Sequence, residues 1–253
     1  MRQIVIVGGN GGLGNALATQ LLDDGYDVVV IGRANARDSR IKKFYRMDAA
    51  TAHWPSLYET VANDTGAQID AVIFVSGTAV FGKTTLIPRE RARQVFDLNF
   101  WACTGAATAA AEHWVNRKQA GKFVAILSIA ARCAVPFEAY YSASKAAAQR
   151  FLECLQLEYS RTGIAFISAF PGLLRTSFRA QSEWYGIQRT PNEGGADVRT
   201  TAEAVINLLR GRRKARVIGW RERSIDLADR LFPGLYDRTV LRTRVQKALM
   251  GRG

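Results

Sequence analysis

Ile4-Val5-Ile6-Val7-Gly8-Gly9-Asn10-Gly11-Gly12-Leu13-Gly14 is the stretch on which the fold is decided. Four apolar residues in a row suit a parallel strand covered on both faces. Glycines then end the strand abruptly, and an amphipathic helix is expected from about residue 12 to 24. A glycine-rich turn at this junction lets the backbone approach a pyrophosphate and lets the helix pack close to the strand. The start of the helix also offers unpaired N–H groups to phosphate oxygens. Gly8, Asn10, Gly12, Leu13 and Gly14 are therefore candidate cofactor-binding residues.

Outward from that turn the pattern repeats. Val28–Ile31, Ala71–Val75, Phe123–Leu127 and Ile164–Ala169 are further apolar runs, with weaker strands at Phe44–Met47 and Ala215–Gly219. Helix-like segments fall at about 55–65, 89–118 and 139–161. Another is expected from Thr200, where Thr200-x-x-Glu203 has the form of a capping box. Strands alternating with helices imply right-handed βαβ units, hence an α/β fold with a doubly wound parallel sheet, a Rossmann fold. No linker or repeat interrupts residues 1–219, so they form one domain, and residues 220–253 read as a basic helical C-terminal extension of it.

Of 253 residues 48% are hydrophobic and 23% charged, which excludes global disorder. Three widely spaced cysteines (Cys103, Cys133, Cys154) form no disulfide framework, and a reducing, cytoplasmic setting is expected. Two histidines without nearby cysteine partners give no metal site. The first residues read as a strand rather than a signal peptide, and no run approaches the length of a membrane span.

The net charge of +13 is unevenly spread: residues 210–253 hold 13 Lys/Arg against 4 Asp/Glu. Such a field attracts anions of any kind. Leu227, Leu231 and Phe232 suggest one helix stopped by Pro233-Gly234. Tyr236, Val240, Leu241, Val245 and Leu249 form the apolar stripe of another, with Arg238, Arg242 and Lys247 outside it. This segment is expected to pack on the domain, over the pocket or at a subunit interface; a peripheral place on an anionic membrane surface is the other reading. Specific nucleic-acid binding has no reading motif behind it.

The second strand ends Val30-Ile31-Gly32-Arg33. An NAD site usually places an acid at this point, whereas a 2′-phosphate needs positive charge. Gly32 leaves room and Arg33 supplies a guanidinium, with Arg37 and Arg40 as possible helpers. NADP(H) is thus expected, NAD(H) less so. Ser128 closes the fifth apolar run, Tyr141 follows thirteen residues later, and Lys145 lies one helical turn beyond on the same face. Carbonyl reduction needs a proton for the developing alkoxide, which a phenol can deliver. An ammonium beside the phenol should lower its pKa, and a serine hydroxyl can stabilise the oxygen as charge forms. Tyr140 is a decoy, since Ser144 occupies its i+4 position.

The glycine loop together with Tyr141-Ser-Ala-Ser-Lys145 resembles the short-chain dehydrogenase/reductase family, over residues 1 to about 220. The loop is similar to its T-G-x-x-x-G-x-G, with Val7 in place of Thr. The resemblance implies Tyr141 as acid/base with Ser128 and Lys145, and Asn99 as a helix asparagine holding a relay water. It implies Asp48 at the adenine, and Pro171-Gly172 with Thr176 at the nicotinamide carboxamide. The family's N-N-A-G reads Phe74-Val75-Ser76-Gly77 here, leaving Gly77 to allow close approach of the cofactor. Helices 89–118 and 139–161 look like the family's dimer-forming pair, so a homodimer or homotetramer is expected.

Phe178, Trp184, Tyr185 and Ile187 are expected over a pocket for a small hydrophobic carbonyl or alcohol substrate, with Glu193-Gly194-Gly195 as a hinge; packing onto the core is the alternative. Arg117, Lys118, Lys122 and Arg161, read as flanking the active-site strand and helix, raise an acyl carrier protein as a partner and a 3-ketoacyl thioester as substrate. The rival class is a non-catalytic NADP-binding sensor or regulatory module acting through its basic tail.

Overall fold

The computed structural model describes residues 3–34, 38–41, 43–189, 194–232 and 234. Seven strands form one parallel sheet: β1 (Gln3–Val7), β2 (Asp27–Gly32), β3 (Lys43–Arg46), β4 (Ile69–Phe74), β6 (Gly121–Ile126), β7 (Ile164–Pro171) and β9 (Ala215–Ile218). Their spatial order is β3-β2-β1-β4-β6-β7-β9, all neighbours parallel. The order reverses between β1 and β4, which opens a crevice at their carboxyl ends. The expected doubly wound sheet is the one observed.

Side-chain alternation explains why the strands read as unbroken apolar runs. Val5, Val7, Val72, Phe74, Phe123 and Phe166 point to one face, covered by α2 (Trp54–Thr65), α4 (Cys103–Asn116) and α5 (Ala139–Glu158). Ile4, Ile6, Ala71, Ile73, Val124 and Ile167 point to the other, covered by α1 (Gly12–Asp23) and α6 (Val198–Arg210). Both faces are buried, so no polar alternation remains. Phe74 stands where the resembled family has asparagine; it packs between Trp54 and Phe123 at ring-centroid distances of 6.1 and 6.4 Å. Apolar packing replaces the polar contact there.

Two expectations are corrected, and the first tail helix is found as expected. The single helix at 89–118 is α3 (Arg89–Phe96) and α4 joined by a π turn, Asp97–Ala102. The helix expected from Thr200 starts at Val198, because Asp197 caps it by accepting from the backbone N–H groups of Arg199 and Thr200. In α7 (Trp220–Leu231), Leu227, Leu231 and the following Phe232 are more than half exposed; Trp220, Arg221, Glu222 and Ile225 instead face a cavity. The second tail helix proposed for Tyr236–Leu249 lies outside the described residues. No helix among the described residues is long and apolar enough to cross a membrane.

Asp197→Ala should lower stability by about 1 kcal/mol and Thr200→Ala by far less, measured by urea denaturation. Equal losses would restore Thr200 as the cap.

Candidate active site

The glycines of the β1–α1 turn are required one by one. Gly8 has φ +88, a left-handed conformation, and a Cβ there would lie 2.8 Å from the Ser76 nitrogen. At Gly14 a Cβ would overlap the Gly8 carbonyl oxygen, and at Gly12 it would press on the Thr176 methyl at 2.7 Å. No side chain caps α1, so the N–H groups of its first turn face the cavity above. The loop after β4 is pinned to the same strand end, since Val75 and Ser76 both donate to the Val7 carbonyl, at 2.8 and 3.1 Å.

One cavity of about 1550 Å³ extends from this turn along the carboxyl ends of the strands. Gly8, Asn10, Gly12, Leu13, Gly14, Arg33 and Asp48 line one end of it. Gly77, Ser128, Tyr141, Lys145, Pro171, Gly172 and Thr176 line the rest. The expected catalytic and cofactor-binding residues are thus gathered around one space, except Asn99, which lies fully buried just beneath it.

At the first end, the exposed Arg33 borders the cavity. Gly32 is not simply empty room: the Asn10 side-chain oxygen occupies the place a Cβ would take. Arg40 is drawn away into ion pairs with Asp23 and Asp38, both at 2.7 Å, and holds the Asp38 carboxyl down to about 2. Arg37 lies outside the described residues.

At the other end, α5 presents Tyr141 and Lys145 on one face. Lys145 is 4% exposed and donates to the Ile126 carbonyl at the end of β6, 3.0 Å away. Asn99 sits in the π turn, where such distortions often mark functional sites. Its amide clamps Thr78, accepting from the Thr78 N–H at 2.9 Å and donating to the Thr78 carbonyl at 2.8 Å; it also donates to the Ser144 hydroxyl at 3.0 Å. A Cβ on Gly77 would lie 3.2 Å from both the Asn99 oxygen and the Lys145 amine, so the absence of a side chain leaves room for their convergence. Ser128 accepts from the Ala130 N–H at 3.1 Å. Tyr140 instead packs into a small cluster with Val80, Ile87 and Val95.

The electrostatics differ from expectation. Burial pushes the Tyr141 phenol up to about 12; the Ser128 hydroxyl, hydrogen-bonded to it, and the charge of Arg179 pull the other way, while Glu138 adds to the rise. Burial likewise brings the Lys145 amine down to about 8. Lys145 therefore does not make Tyr141 acidic in this structure, because desolvation outweighs charge at both groups. Tyr141 holds its proton at neutral pH.

Two features escaped sequence reasoning. β5 (Val80–Gly82) and β8 (Glu183–Tyr185) pair in a second, two-stranded sheet that fastens the segment after Thr176 over the cavity. Arg179 in that segment pairs with Glu138 at 3.2 Å and lies 4.4 Å over the Phe81 ring and 4.9 Å over Trp184. Phe178, Trp184 and Ile187 line the cavity, whereas Tyr185 packs with the Val80 cluster, so both readings of these aromatics hold in part. Glu193 of the expected hinge lies outside the described residues. The basic group is corrected outright. Lys122 opens β6, and Arg117, Lys118 and Arg161 follow the carboxyl ends of α4 and α5, at the edge of the sheet opposite the cavity. Arg117 is also paired with Glu59 at 2.5 Å, and Lys122 donates to the Leu209 carbonyl at 2.6 Å.

A doubly wound sheet with a glycine turn at the switch point defines a dinucleotide-binding class of protein. Residues 2–185 match the family model described as short chain dehydrogenase, and the chain belongs to that family. It is 25% identical over 234 residues to Dehydrogenase/reductase SDR family member 7B of Mus musculus, covering 85% of this chain and 72% of that one. Its fold matches a short chain dehydrogenase from Burkholderia cenocepacia solved in complex with NADP, with TM-score 0.81, 23% identity and coverage of 95% and 99%. It also matches 4-hydroxyisoleucine dehydrogenase complexed with NADH, with TM-score 0.65, 23% identity and coverage of 70% and 76%.

The Lys145 result has a measurable consequence. Its folded pKa is depressed, so the folded state is penalised for the protonated amine below about pH 8, and the penalty vanishes above the ordinary lysine value of 10.5. Lys145→Met should therefore be more stable than wild type by about 1–3 kcal/mol at pH 7, with the gap closing as pH rises. A gap that stays constant with pH would contradict this assignment.

Proposed function

We propose that the protein is an NADP(H)-dependent oxidoreductase moving hydride between the cofactor and a carbonyl or alcohol of a small hydrophobic substrate. The observation that carries this reading is the convergence of Ser128, Tyr141 and Lys145 with the glycine turn on one cavity. The glycine cradle, in which added Cβ atoms would collide with backbone, fits a dinucleotide pyrophosphate. Bound there, the nicotinamide supplies the hydride.

The chain's own groups handle the proton and the position. In the reducing direction Tyr141, protonated at neutral pH, donates to the oxygen that gains negative charge. The Ser128 hydroxyl binds the same oxygen and stabilises its charge. Lys145, anchored on the Ile126 carbonyl, keeps an amine below the phenol that titrates near neutrality, suited to return the proton. Asn99 holds Thr78 and Ser144 and so shapes the floor on which Lys145 rests, with the resembled relay water as its further role. Pro171, Gly172 and Thr176 orient the nicotinamide end, and Asp48 meets the adenine. Phe81, Phe137, Phe178 and Trp184 make the substrate end apolar, apart from the Arg179–Glu138 pair.

Tyr141→Phe should reduce carbonyl reduction by about 10²–10⁴-fold while NADPH affinity stays within about threefold. Retained turnover would favour the alternative, a cofactor-binding sensor without catalysis.

NADP(H) preference rests on Arg33. Arg33→Met should weaken NADPH binding by about tenfold or more and leave NADH binding nearly unchanged, by fluorescence titration. Gly32→Asp alone should not create an NAD enzyme, because the Asn10 side chain fills that space. Equal losses for both nucleotides on Arg33→Met would remove the basis for the preference.

A further inference from the structure

The carboxyl ends of β7 and β9 lie side by side, and the chain leaves them through Gly172 and Gly219. A Cβ on either glycine would overlap the Glu222 side chain, which reaches back from the first turn of α7. Glu222 therefore puts a carboxylate between two strand ends, on the wall of the catalytic cavity. The helix that carries it is tied down from the far side. Arg132, 12% exposed, holds Asp226, 15% exposed, at 2.7 Å, and stacks 4.9 Å over the Phe170 ring. That pair, and the Arg230–Asp226 pair at 3.5 Å, use a carboxylate other than Glu222.

We propose that Glu222 discriminates between the two oxidation states of the bound nicotinamide, favouring the cationic oxidised ring over the neutral reduced one. This rests on the reading above, in which the Pro171-Gly172 segment receives the nicotinamide. The chemistry is simple. A carboxylate beside the ring can accept a hydrogen bond from the carboxamide in either state, so that contact does not discriminate. Only the ring's charge changes between the states, and a negative group beside the ring responds to that difference. Glu222 lies beyond residue 185, where the match to the family model ends, on a helix that the sequence pattern assigned to a tail.

The test is to titrate the full-length protein and Glu222→Gln with NADP⁺ and NADPH separately, by calorimetry at fixed pH and salt. In Glu222→Gln the preference should move toward NADPH by about threefold to tenfold. Glu222→Asp should stay close to wild type. Glu158→Gln, at the opposite edge of the sheet, should leave the ratio unchanged. Both nucleotides binding with an unaltered ratio in Glu222→Gln would overturn the inference while leaving the site reading intact. An equal shift in Glu158→Gln would reduce the effect to net charge and also overturn it. A wild-type protein that binds neither nucleotide would overturn the site reading, and the inference with it.

Discussion

A lysine that is 4% exposed at the foot of a cavity is the constraint to which the surrounding structure answers. A buried amine needs a partner, and the Ile126 carbonyl at the end of β6 supplies it. That bond fixes α5 against the sheet, and with it the face carrying Tyr141. The approach is possible because residue 77 has no side chain and because the π turn at Asp97–Ala102 swings Asn99 inward to hold the neighbouring backbone. Replace any of these and the amine has either a steric neighbour or an unsatisfied one.

How far this was legible in the sequence depends on the range of the interaction. The parallel sheet could be read because each strand is apolar throughout, a local signal of burial on both faces. The gathering of Gly8, Ser128, Tyr141 and Lys145 followed, because strand–turn–helix junctions bring such positions to one edge of the sheet. The helix start was off by two residues because Asp197, three positions ahead of Thr200, is as good a cap as threonine and a local pattern does not decide between them. The π turn left no trace, since a single inserted residue hardly disturbs helical periodicity.

Long-range pairings were beyond reach altogether. β5 and β8 are three residues each and about a hundred positions apart, so nothing local announces their pairing. Nothing local in the sequence marks Arg179, yet Glu138 and two aromatic rings hold it beside Tyr141. The basic residues Arg117, Lys118, Lys122 and Arg161 misled for the opposite reason. Their proximity in sequence to catalytic elements is real, but a strand has two ends, and these residues lie at the wrong one.

Charge along the cavity runs in a direction that matches a dinucleotide. Arg33 and the uncapped start of α1 make the far end electropositive, where phosphates are expected. Toward the other end Glu138 is paired with Arg179, which leaves Glu222 as the carboxylate that would face the nicotinamide, one oxidation state of which is cationic. Burial opposes charge on both Tyr141 and Lys145: the phenol keeps its proton at neutral pH, while the amine, brought down to about 8, gives its proton up more readily than an ordinary lysine. On the proposed reading, a cationic oxidised ring held beside them would favour phenolate, the form alcohol oxidation needs, and a neutral reduced ring would leave the phenol protonated, the form reduction needs. On that reading, the burial that raises the phenol and depresses the amine would also make their protonation respond to the cofactor's redox state.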